Sequence, residues 1–556
     1  MQAHQSSYWV MIRQNILQKT IASWALCTAA LAPLRAQQPP ARPALVVGIV
    51  IDQMRWDYLY RFYDQYGTGG FRRLMEQGFN CQNTNIDYLP SFTAPGHTCI
   101  YTGSVPALHG IAANDWVDTR TNREWYCTED TTVTSIGGGK AGLMSPRNLL
   151  ASTITDELQL ATNFHAKTIG ISLKDRGSIL PAGHAATAAY WYDGDNGSFI
   201  TSSYYMQQLP QWLVRFNNRK PGDSLMATDW VPYKPLQAYG QSTQDDNKYE
   251  GLDKGATKPV FPHTTSHWLG NKDAIRSTPY GNTLTRLLAE ATIDGEQMGG
   301  RNETDFLAVS FSSPDYVGHK YGPNSMEIED TYIRLDKELE LLLNYLDKKI
   351  GKGKFLVFLT ADHGAAHNAT FLADHKIPGK SAPLNTVNKE LNKFLQQRFG
   401  DSFLVSSLMN YQVFLNEKAI ESRHLDRDKI RTEIINWFRK QDGVTNVLDL
   451  EHLDKSIVPE PLRTMVVNGY YPNRCGSIQI ILNPGWYSGH GGTGTTHGTW
   501  NPYDVHIPLL WYGWGIKQGE TFRGLHMTDI SATLAALLHI QVPNACIGEP
   551  IAELVK

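Results

Sequence analysis

The feature that most constrains the fold is a continuous apolar run at residues 44–52, Ala-Leu-Val-Val-Gly-Ile-Val-Ile-Asp, which is rich in β-branched residues and ends in an acid. A run without polar alternation is typical of a strand buried on both faces, as in a parallel sheet covered by helices. Similar runs occur at Lys167–Leu173, Asp305–Phe311, Lys354–Thr360 and Val505–Tyr512. Helical periodicity lies between them, at Ile328–Lys348 and Asp529–His539. Strands that alternate with helices predict an α/β fold with a mostly parallel sheet and helices on both faces.

Two stretches interrupt this alternation. Residues from about 183 to 302 are rich in glycine, proline, asparagine and aromatics, and residues from about 366 to 489 contain a helix-like segment, Asp426–Lys440, and a strand-like one, Gly476–Leu482. The acids and histidines that suggest chemistry fall before, between and after these stretches. We therefore interpret both as insertions in one catalytic domain that spans residues 37–556.

The N-terminus has the pattern of a signal peptide. Arg13 and Lys19 precede an apolar run from Ile21 to Ala32, and Ala36 offers a small residue for cleavage. The run is too short to span a bilayer, so we expect residues 1–36 to be removed, with no stable membrane insertion afterwards. The start codon, Met1 or Met11, is left open. We expect export across the inner membrane, to the periplasm in a Gram-negative host.

Composition and cysteines exclude some classes. With 41% hydrophobic and 19% charged residues among 556, the chain has enough apolar residues for a large core. A formal charge of −3 provides no basic field that would attract nucleic acid, which we do not expect as a partner. No cysteine has CxxC spacing, so a cysteine-bound zinc is not expected. The sequence leaves the oligomeric state open, and also the disulfide pairing among Cys81, Cys99, Cys127, Cys475 and Cys546.

Acids and histidines follow several of the predicted strands, where open α/β sheets bind ligands. Carboxylate and imidazole ligands suit two borderline divalent cations, most commonly zinc. Two such ions can hold the entering and leaving oxygens of a phosphoryl transfer. Each residue or pair alone has an ordinary structural interpretation, but their repetition at strand ends favours a metal centre. The candidate ligands are Asp52, Asp315, His319, Asp362, His363 and His497.

Thr93 is the candidate nucleophile. Ala94-Pro95 follows it, and this pattern predicts the start of a helix, whose backbone N–H groups and dipole suit a phosphate. A nearby zinc would favour the alkoxide. The alternative on local sequence is that Thr93 only caps the helix. We expect Cys99 to be a buried packing residue and His97 to have a supporting role.

These residues, in this order, resemble the alkaline phosphatase superfamily. The strings Thr93-Ala-Pro-Gly-His97, His109-Gly-Ile-x-x-Asn114 and Lys174-Asp-Arg176-Gly resemble the PafA-type, phosphate-irrepressible alkaline phosphatases. The resemblance covers nearly the whole mature chain. It implies hydrolysis of small-molecule phosphate monoesters through a phospho-Thr93 intermediate, with Asn114 donating to a phosphate oxygen. It also implies two zinc ions, one held by Asp315, His319 and His497, the other by Asp52, Asp362, His363 and Thr93.

Lys174 and Arg176 separate the two nearest activities. In extended backbone, residues i and i+2 share a face, so both cations are expected to point the same way while Asp175 points away. A solvated charged turn is the structural alternative. With the resemblance, the pair looks like the basic clamp of phosphate monoesterases.

Three alternatives follow from the same residues. A phosphodiesterase or nucleotide pyrophosphatase of the superfamily would share the metals, Thr93 and Asn114, but is expected to lack the Lys174 and Arg176 pair. A non-catalytic surface binding protein on this scaffold would be expected to have lost ligands, and none is missing here. A sulfatase is disfavoured because its C/S-x-P-x-R context has no match at Thr93.

Overall fold

The computed structural model describes residues 41–382, 384–489 and 492–555. The predicted signal peptide, residues 1–36, lies outside the described residues. Within the part described, no helix combines the length and the hydropathy needed to cross a membrane.

A ten-stranded sheet forms the centre of the fold. Its innermost strand, Leu45–Ile51, is completely buried and pairs in parallel with Asp305–Phe311 on one side and Phe355–Thr360 on the other. This confirms the predicted mostly parallel sheet. In order across the sheet, the strands are Gly519–Thr521, Phe79–Cys81, Leu509–Gly513, Phe355–Thr360, Leu45–Ile51, Asp305–Phe311, Thr168–Ser172, Ala188–Asp193, Ser198–Ser202 and Ser135–Ile136.

The register of the innermost strands determines where the functional residues emerge. Ile51 lies opposite Phe311, and Val50 lies opposite Thr360. The residues that follow these three strands therefore leave the sheet at the same edge, which is the edge where open α/β sheets place their ligand sites.

The predicted strand Val505–Tyr512 differs from the structure. Residues Pro502–Val505 form a short helix, His506–Ile507 pairs with Thr84–Asn85, and only Leu509–Gly513 joins the central sheet, antiparallel to Phe355–Thr360. Pro508 lies between the two strands and has no N–H to donate to a ladder, which explains the division.

Helices pack against the central sheet. The predicted helices Ile328–Lys348 and Asp529–His539 are present as Met326–Leu346 and Asp529–Leu538. The other helices are Tyr58–Arg61, Phe71–Gln77, Thr93–Thr102, Pro106–His109, Ile154–Ala161, Asp175–Ala182, Gln211–Asn218, Pro221–Met226, Tyr280–Glu296, Ser313–Tyr321, Ala369–Asp374, Leu384–Phe399, Glu417–Ser422, Arg427–Phe438, Leu462–Gly469 and Pro502–Val505.

The two stretches predicted as insertions differ in structure. The stretch at 183–302 begins with two strands that extend the central sheet, so the part outside the sheet starts after Ser202. The stretch at 366–489 contains a separate antiparallel sheet of four strands with its own apolar core. The predicted segments Asp426–Lys440 and Gly476–Leu482 are its helix Arg427–Phe438 and its strand Ile478–Leu482.

That second sheet has the strand order Val405–Met409, Gln412–Leu415, Ile478–Leu482, Val444–Asp449. Asn410 and Tyr411 connect its first two strands as a two-residue turn, and both have a φ of 57°. A turn with two left-handed residues matches the twist of a hairpin. We call residues 405–415 the second-sheet hairpin.

Candidate metal and phosphate site

Four segments bring the candidate ligands to one edge of the central sheet. Asp52 directly follows Leu45–Ile51, and Asp362 and His363 follow Phe355–Thr360; all three are completely buried. Asp315 and His319 lie four residues apart on helix Ser313–Tyr321, and therefore on one face of it, as their spacing predicts. His497 comes from the loop before helix Pro502–Val505.

The ligand atoms of Asp315, His319 and His497 lie within 4.8 Å of one another, which allows one ion to contact all three. Asp315 Oδ1 is 3.1 Å from His319 Nε2 and 3.8 Å from His497 Nε2. This is the set that the resemblance assigns to one zinc.

The second set differs in one member. Atoms of Asp52, Asp315 and His363 lie within 4.8 Å of one another, so Asp315 is common to both groups. Asp362 is adjacent, with its Oδ2 3.6 Å from His363 Nε2, and its Oδ1 accepts hydrogen bonds from two backbone N–H groups. The structure therefore brings Asp362 to the edge of the second group.

Backbone carbonyls determine the tautomers of the three histidines. The Nδ1 atoms of His319, His363 and His497 lie 2.9, 3.0 and 2.8 Å from the carbonyls of Thr495, Gly364 and Ser91. Carbonyl oxygens only accept, so each Nδ1 carries the hydrogen and each Nε2 keeps its lone pair. All three Nε2 atoms face the carboxylates, which is the arrangement that imidazole ligands of a metal adopt.

Among these carboxylates, Asp52 is the one with too little positive charge around it. Burial and the neighbouring charge of Asp362 raise the pKa of Asp52 to about 8. Asp52 Oδ1 and Asp362 Oδ2 are buried without a hydrogen-bond partner among the described residues. Buried charges require partners, and cations at these positions would supply them. The donor set of carboxylates and imidazoles without thiolates fits zinc.

Lys174 is the cation that contacts these carboxylates. Its Nζ lies 2.7 Å from Asp52 Oδ2 and 2.6 Å from Asp315 Oδ2, and the side chain is almost fully buried. Burial lowers the pKa of this amine, but the charges of Asp315 and Asp52 more than offset that and raise it. Lys174 therefore stays charged at the junction of the two candidate metal groups.

Thr93 is the first residue of the buried helix Thr93–Thr102. The cap position is Phe92 and not Thr93, contrary to the alternative that Thr93 only caps the helix. Its Oγ1 lies 3.4 Å from His363 Nε2, the atom that is free to bind a metal. The hydroxyl thus faces the second candidate group.

The helix terminus supplies fewer free N–H groups than the sequence suggests. Pro95 has none, the Gly96 N–H bonds to the Phe92 carbonyl, and the Ala94 N–H donates to Asn114 Oδ1 at 2.9 Å. Because its Oδ1 is engaged by the helix, the Nδ2 of Asn114 is the end of the amide that remains to donate to a ligand.

Arg176 reaches this region by a route that strand alternation does not predict. The strand ends at Ser172, Lys174 is still extended, and helix Asp175–Ala182 begins at the next residue. Asp175 turns toward the Tyr126 hydroxyl, and Arg176 Nη1 donates to that same hydroxyl at 3.0 Å. Tyr126 is the cross-strand partner of Asp115, the residue after Asn114. The contact therefore places Arg176 against the hairpin that follows Asn114.

The supporting residues include some that the sequence did not indicate. His97 Nδ1 lies 2.9 Å from the Thr93 carbonyl and 3.2 Å from Asp362 Oδ2, consistent with its expected supporting role. Gln53 contacts both Asp315 and Asp362 and had no signal beyond its position after Asp52. All five cysteines of the described residues are free, and Cys99 is buried as expected.

Comparison with known proteins places this chain in a family. The family model described as type I phosphodiesterase / nucleotide pyrophosphatase matches residues 46–504. Alkaline phosphatase PafA of Elizabethkingia meningoseptica is 49% identical over 518 residues, 92% of this chain and 95% of the relative. A Myroides odoratus protein named calcium-transporting ATPase is 50% identical over 546 residues, 97% and 99% of the two chains. A crystal structure of wild-type alkaline phosphatase PafA has a TM-score of 0.92 at 48% identity and covers 93% of this chain and 100% of that one.

The chain therefore belongs to the type I phosphodiesterase / nucleotide pyrophosphatase family, within the alkaline phosphatase superfamily. It is a phosphatase of the PafA type, and the membership that the motifs predict is confirmed over nearly the whole chain.

Proposed function

We propose that this enzyme hydrolyses small phosphate monoesters through a covalent phospho-Thr93 intermediate at a two-zinc site. The observation that carries the proposal is the position of the Thr93 hydroxyl, 3.4 Å from His363 Nε2, at the start of a buried helix. The PafA relative and the PafA crystal structure support the monoesterase part.

Seven residues would hold the metals: Asp315, His319 and His497 for one, and Asp52, Asp362, His363 and Thr93 for the other. When bound, two zinc ions supply positive charge that favours deprotonation of an alcohol or water and offsets charge on the phosphoryl oxygens. The three protonated Nδ1 atoms and their carbonyl partners hold the imidazoles in the orientation that binding needs.

In the first step, Thr93 Oγ1 attacks phosphorus, forming the Oγ–P bond as the bond to the leaving alcohol breaks. Asn114 Nδ2 donates to a non-bridging oxygen, and Lys174 and Arg176 neutralise the charge of the dianion. In the second step, water displaces Thr93 Oγ1 and releases inorganic phosphate. Over the two steps, the proton of the Thr93 hydroxyl leaves with the alcohol. One proton of the water restores the Thr93 hydroxyl, and the other stays with the released phosphate.

The phosphodiesterase alternative uses the same centre on a different substrate. The name of the matching family model includes that activity, but the buried Lys174 adds a cation that a monoester dianion requires more than a diester does. The name of the Myroides relative includes ATP hydrolysis, which is also a phosphoryl transfer and is compatible with this site. A transport role has no supporting observation among the residues that the structure describes.

The proposal includes export, based on the predicted signal peptide. The mature chain should begin near Gln37, since Ala36 ends the predicted cleavage segment. N-terminal sequencing of the enzyme recovered outside the cytoplasm tests this, and an intact Met1 or Met11 would contradict it.

Substitution of Thr93 tests the covalent step. We expect Thr93→Ala to lose nearly all monoesterase activity and to keep its zinc, because the remaining three ligands of that site stay in place. Thr93→Ser should retain much of the activity. Acid quenching with a labelled monoester should trap phosphate on a peptide containing Thr93. Label on Ser91 or Thr98 would show that another hydroxyl is the nucleophile.

A further inference from the structure

Gln53 directly follows Asp52 and contacts ligands of both candidate metal groups. Its side-chain Nε2 donates to Asp315 Oδ1 at 2.6 Å, and its backbone N–H donates to Asp362 Oδ1 at 3.1 Å. The residue is 3% exposed, so water does not compete for these contacts. A single residue thus connects the carboxylate of one proposed metal site to the carboxylate of the other.

The backbone of Gln53 is held in an unfavourable conformation. Its φ is 65°, in the left-handed region that glycine and asparagine adopt more readily than glutamine. A glutamine in this conformation costs backbone stability. Its side chain is long enough to reach Asp315, whereas glycine and asparagine could not make this contact.

The neighbouring helix provides space for the Gln53 side chain. Gly318 lies between Asp315 and His319 on helix Ser313–Tyr321, and its φ is not left-handed. A Cβ at this position would lie 2.0 Å from Gln53 Oε1. Glycine weakens a helix interior, so its presence here is explained by the approach of the amide rather than by the backbone.

We infer that Gln53 is a positioning residue for the Asp315–His319–His497 metal site, and that its amide holds the ionised Asp315 carboxylate in the orientation that binds the ion. The inference rests on the proposed two-zinc function. Asp315 accepts from Lys174 through Oδ2 and from Gln53 through Oδ1, so the two donors together fix both rotation and position of the carboxylate. Ligands that are hydrogen-bonded in this way bind metals more tightly, by roughly 10- to 100-fold for a single outer contact.

Zinc release from the intact holoenzyme tests the role of the side chain. Gln53→Asn keeps an amide, suits the left-handed backbone better than glutamine, and is one methylene too short to reach Asp315. Gln53→Met keeps the length and removes the donor. In both variants we expect one of the two zinc ions to pass to a chelator about 10- to 100-fold faster than in the wild type. The acceleration should be much smaller for the other ion, because the Gln53 N–H to Asp362 is retained and Asp315 is only one neighbour of that group.

The same experiment separates a local role from a structural one. Gln159→Met is a matched control, because Gln159 is also 3% exposed and donates to Thr168 Oγ1 away from the site. It should keep both zinc ions and the wild-type kcat/KM. Excess zinc should restore much of the activity of the Gln53 variants. Unchanged release of both ions, or equal acceleration of both, would overturn the inference. A wild-type enzyme with two zinc ions but no monoesterase activity would overturn the proposed function alone, and one without zinc would overturn both.

Discussion

At the residue scale, Lys174 and Arg176 reach the site through different contacts. Lys174 forms ion pairs with Asp52 and Asp315, whereas Arg176 donates to the Tyr126 hydroxyl and keeps its buried Nε without a hydrogen-bond partner in the described residues. A planar guanidinium can bind two phosphate oxygens at once, and an ammonium acts as a point charge. In the proposed mechanism, the two residues would therefore offer a phosphate dianion two distinct kinds of contact.

Substitution of these cations should distinguish the monoester from the diester. A transferred monoester phosphoryl group keeps three charged non-bridging oxygens, whereas a diester has less charge there. We expect Lys174→Ala and Arg176→Ala each to lower monoester kcat/KM by about 10²–10³, with a much smaller effect on the matching diester. The double variant should lose less than the product of the single losses, because the two side chains share one phosphate.

The control for this measurement is Arg120→Ala, since the side chain of Arg120 is 69% exposed in the turn of the hairpin after Asn114. It should leave both activities unchanged. If the Lys174 and Arg176 variants lose equal amounts on monoester and diester, the pair has a structural role and the phosphodiesterase interpretation is favoured.

At the scale of elements, the second-sheet hairpin makes contacts on both sides of the site. Asn410 Nδ2 donates to the carbonyl of Asp115, next to Asn114, at 2.7 Å. The Tyr411 hydroxyl lies 3.5 Å from the carbonyl of His497 and accepts from the Ser488 N–H. One turn therefore contacts both the neighbour of Asn114, the proposed donor to the phosphate, and His497, a proposed metal ligand, although neither turn residue is near the site in sequence.

Loss of the Asn410 amide should reduce turnover without unfolding the enzyme. Asn410→Gly retains the left-handed backbone and removes the donor to Asp115. We expect kcat/KM for a monoester to fall by about 2- to 30-fold, which corresponds to 0.5–2 kcal/mol for a supporting contact. The zinc content should remain that of the wild type, because Tyr411 is unchanged.

The comparison variant is Asn416→Ala, at the residue that directly follows the second-sheet hairpin. Asn416 Oδ1 caps helix Glu417–Ser422 by accepting from the Ala419 N–H, so its loss should lower the melting temperature and leave kcat/KM unaltered. Equal kinetic losses in the two variants would indicate that the second sheet affects activity only through stability.

At the scale of the whole molecule, local patterns predict the central strands and the four segments that carry the ligands. The run at residues 44–52 and its counterparts needed no tertiary information, because burial on both faces leaves no polar alternation. The contacts that cross the fold were not predictable. Gln53 belongs to no motif, and Tyr411 comes from a separate sheet. The start of helix Asp175–Ala182 directly after Lys174 depends on the hydrogen bonds that Asp175 accepts from Tyr126 and Thr128.

A second group of buried ionisable residues lies in the stretch after residue 202 and has no part in the proposed chemistry. His263 lies between two carboxylates, with Nδ1 2.7 Å from Asp253 and Nε2 2.9 Å from Glu327. Burial lowers the pKa of His263, but these hydrogen bonds more than offset the effect of burial and raise the pKa to about 9. Glu250 is buried nearby, and neither of its carboxylate oxygens has a hydrogen-bond partner among the described residues. Burial and the charge of Glu327 raise its pKa to about 10.

Both shifts make the folded enzyme less stable as the pH rises. The imidazolium of His263 stabilises the fold fully below its unfolded pKa of 6.5, and this contribution is lost as the pH rises through about 9. Glu250 holds a proton in the folded state that the unfolded chain releases above 4.5, so its contribution also declines as the pH rises toward 10. The two groups act in the same direction, so both lower the stability of this enzyme at alkaline pH.

Glu250→Gln should therefore stabilise the enzyme, and the gain should grow with pH. The neutral amide removes the need to take up a proton on folding, so the difference from the wild type should widen by at most about 1.4 kcal/mol for each pH unit between 6 and 9. Melting temperatures of the metal-loaded enzyme at pH 6, 7.5 and 9 measure this gain. Glu390→Gln, at an exposed position, is the control and should give the same small difference at every pH. A Glu250→Gln difference that stays constant across this range would show that the carboxyl is already ionised in the folded protein, and that its burial is compensated by a partner such as a bound cation.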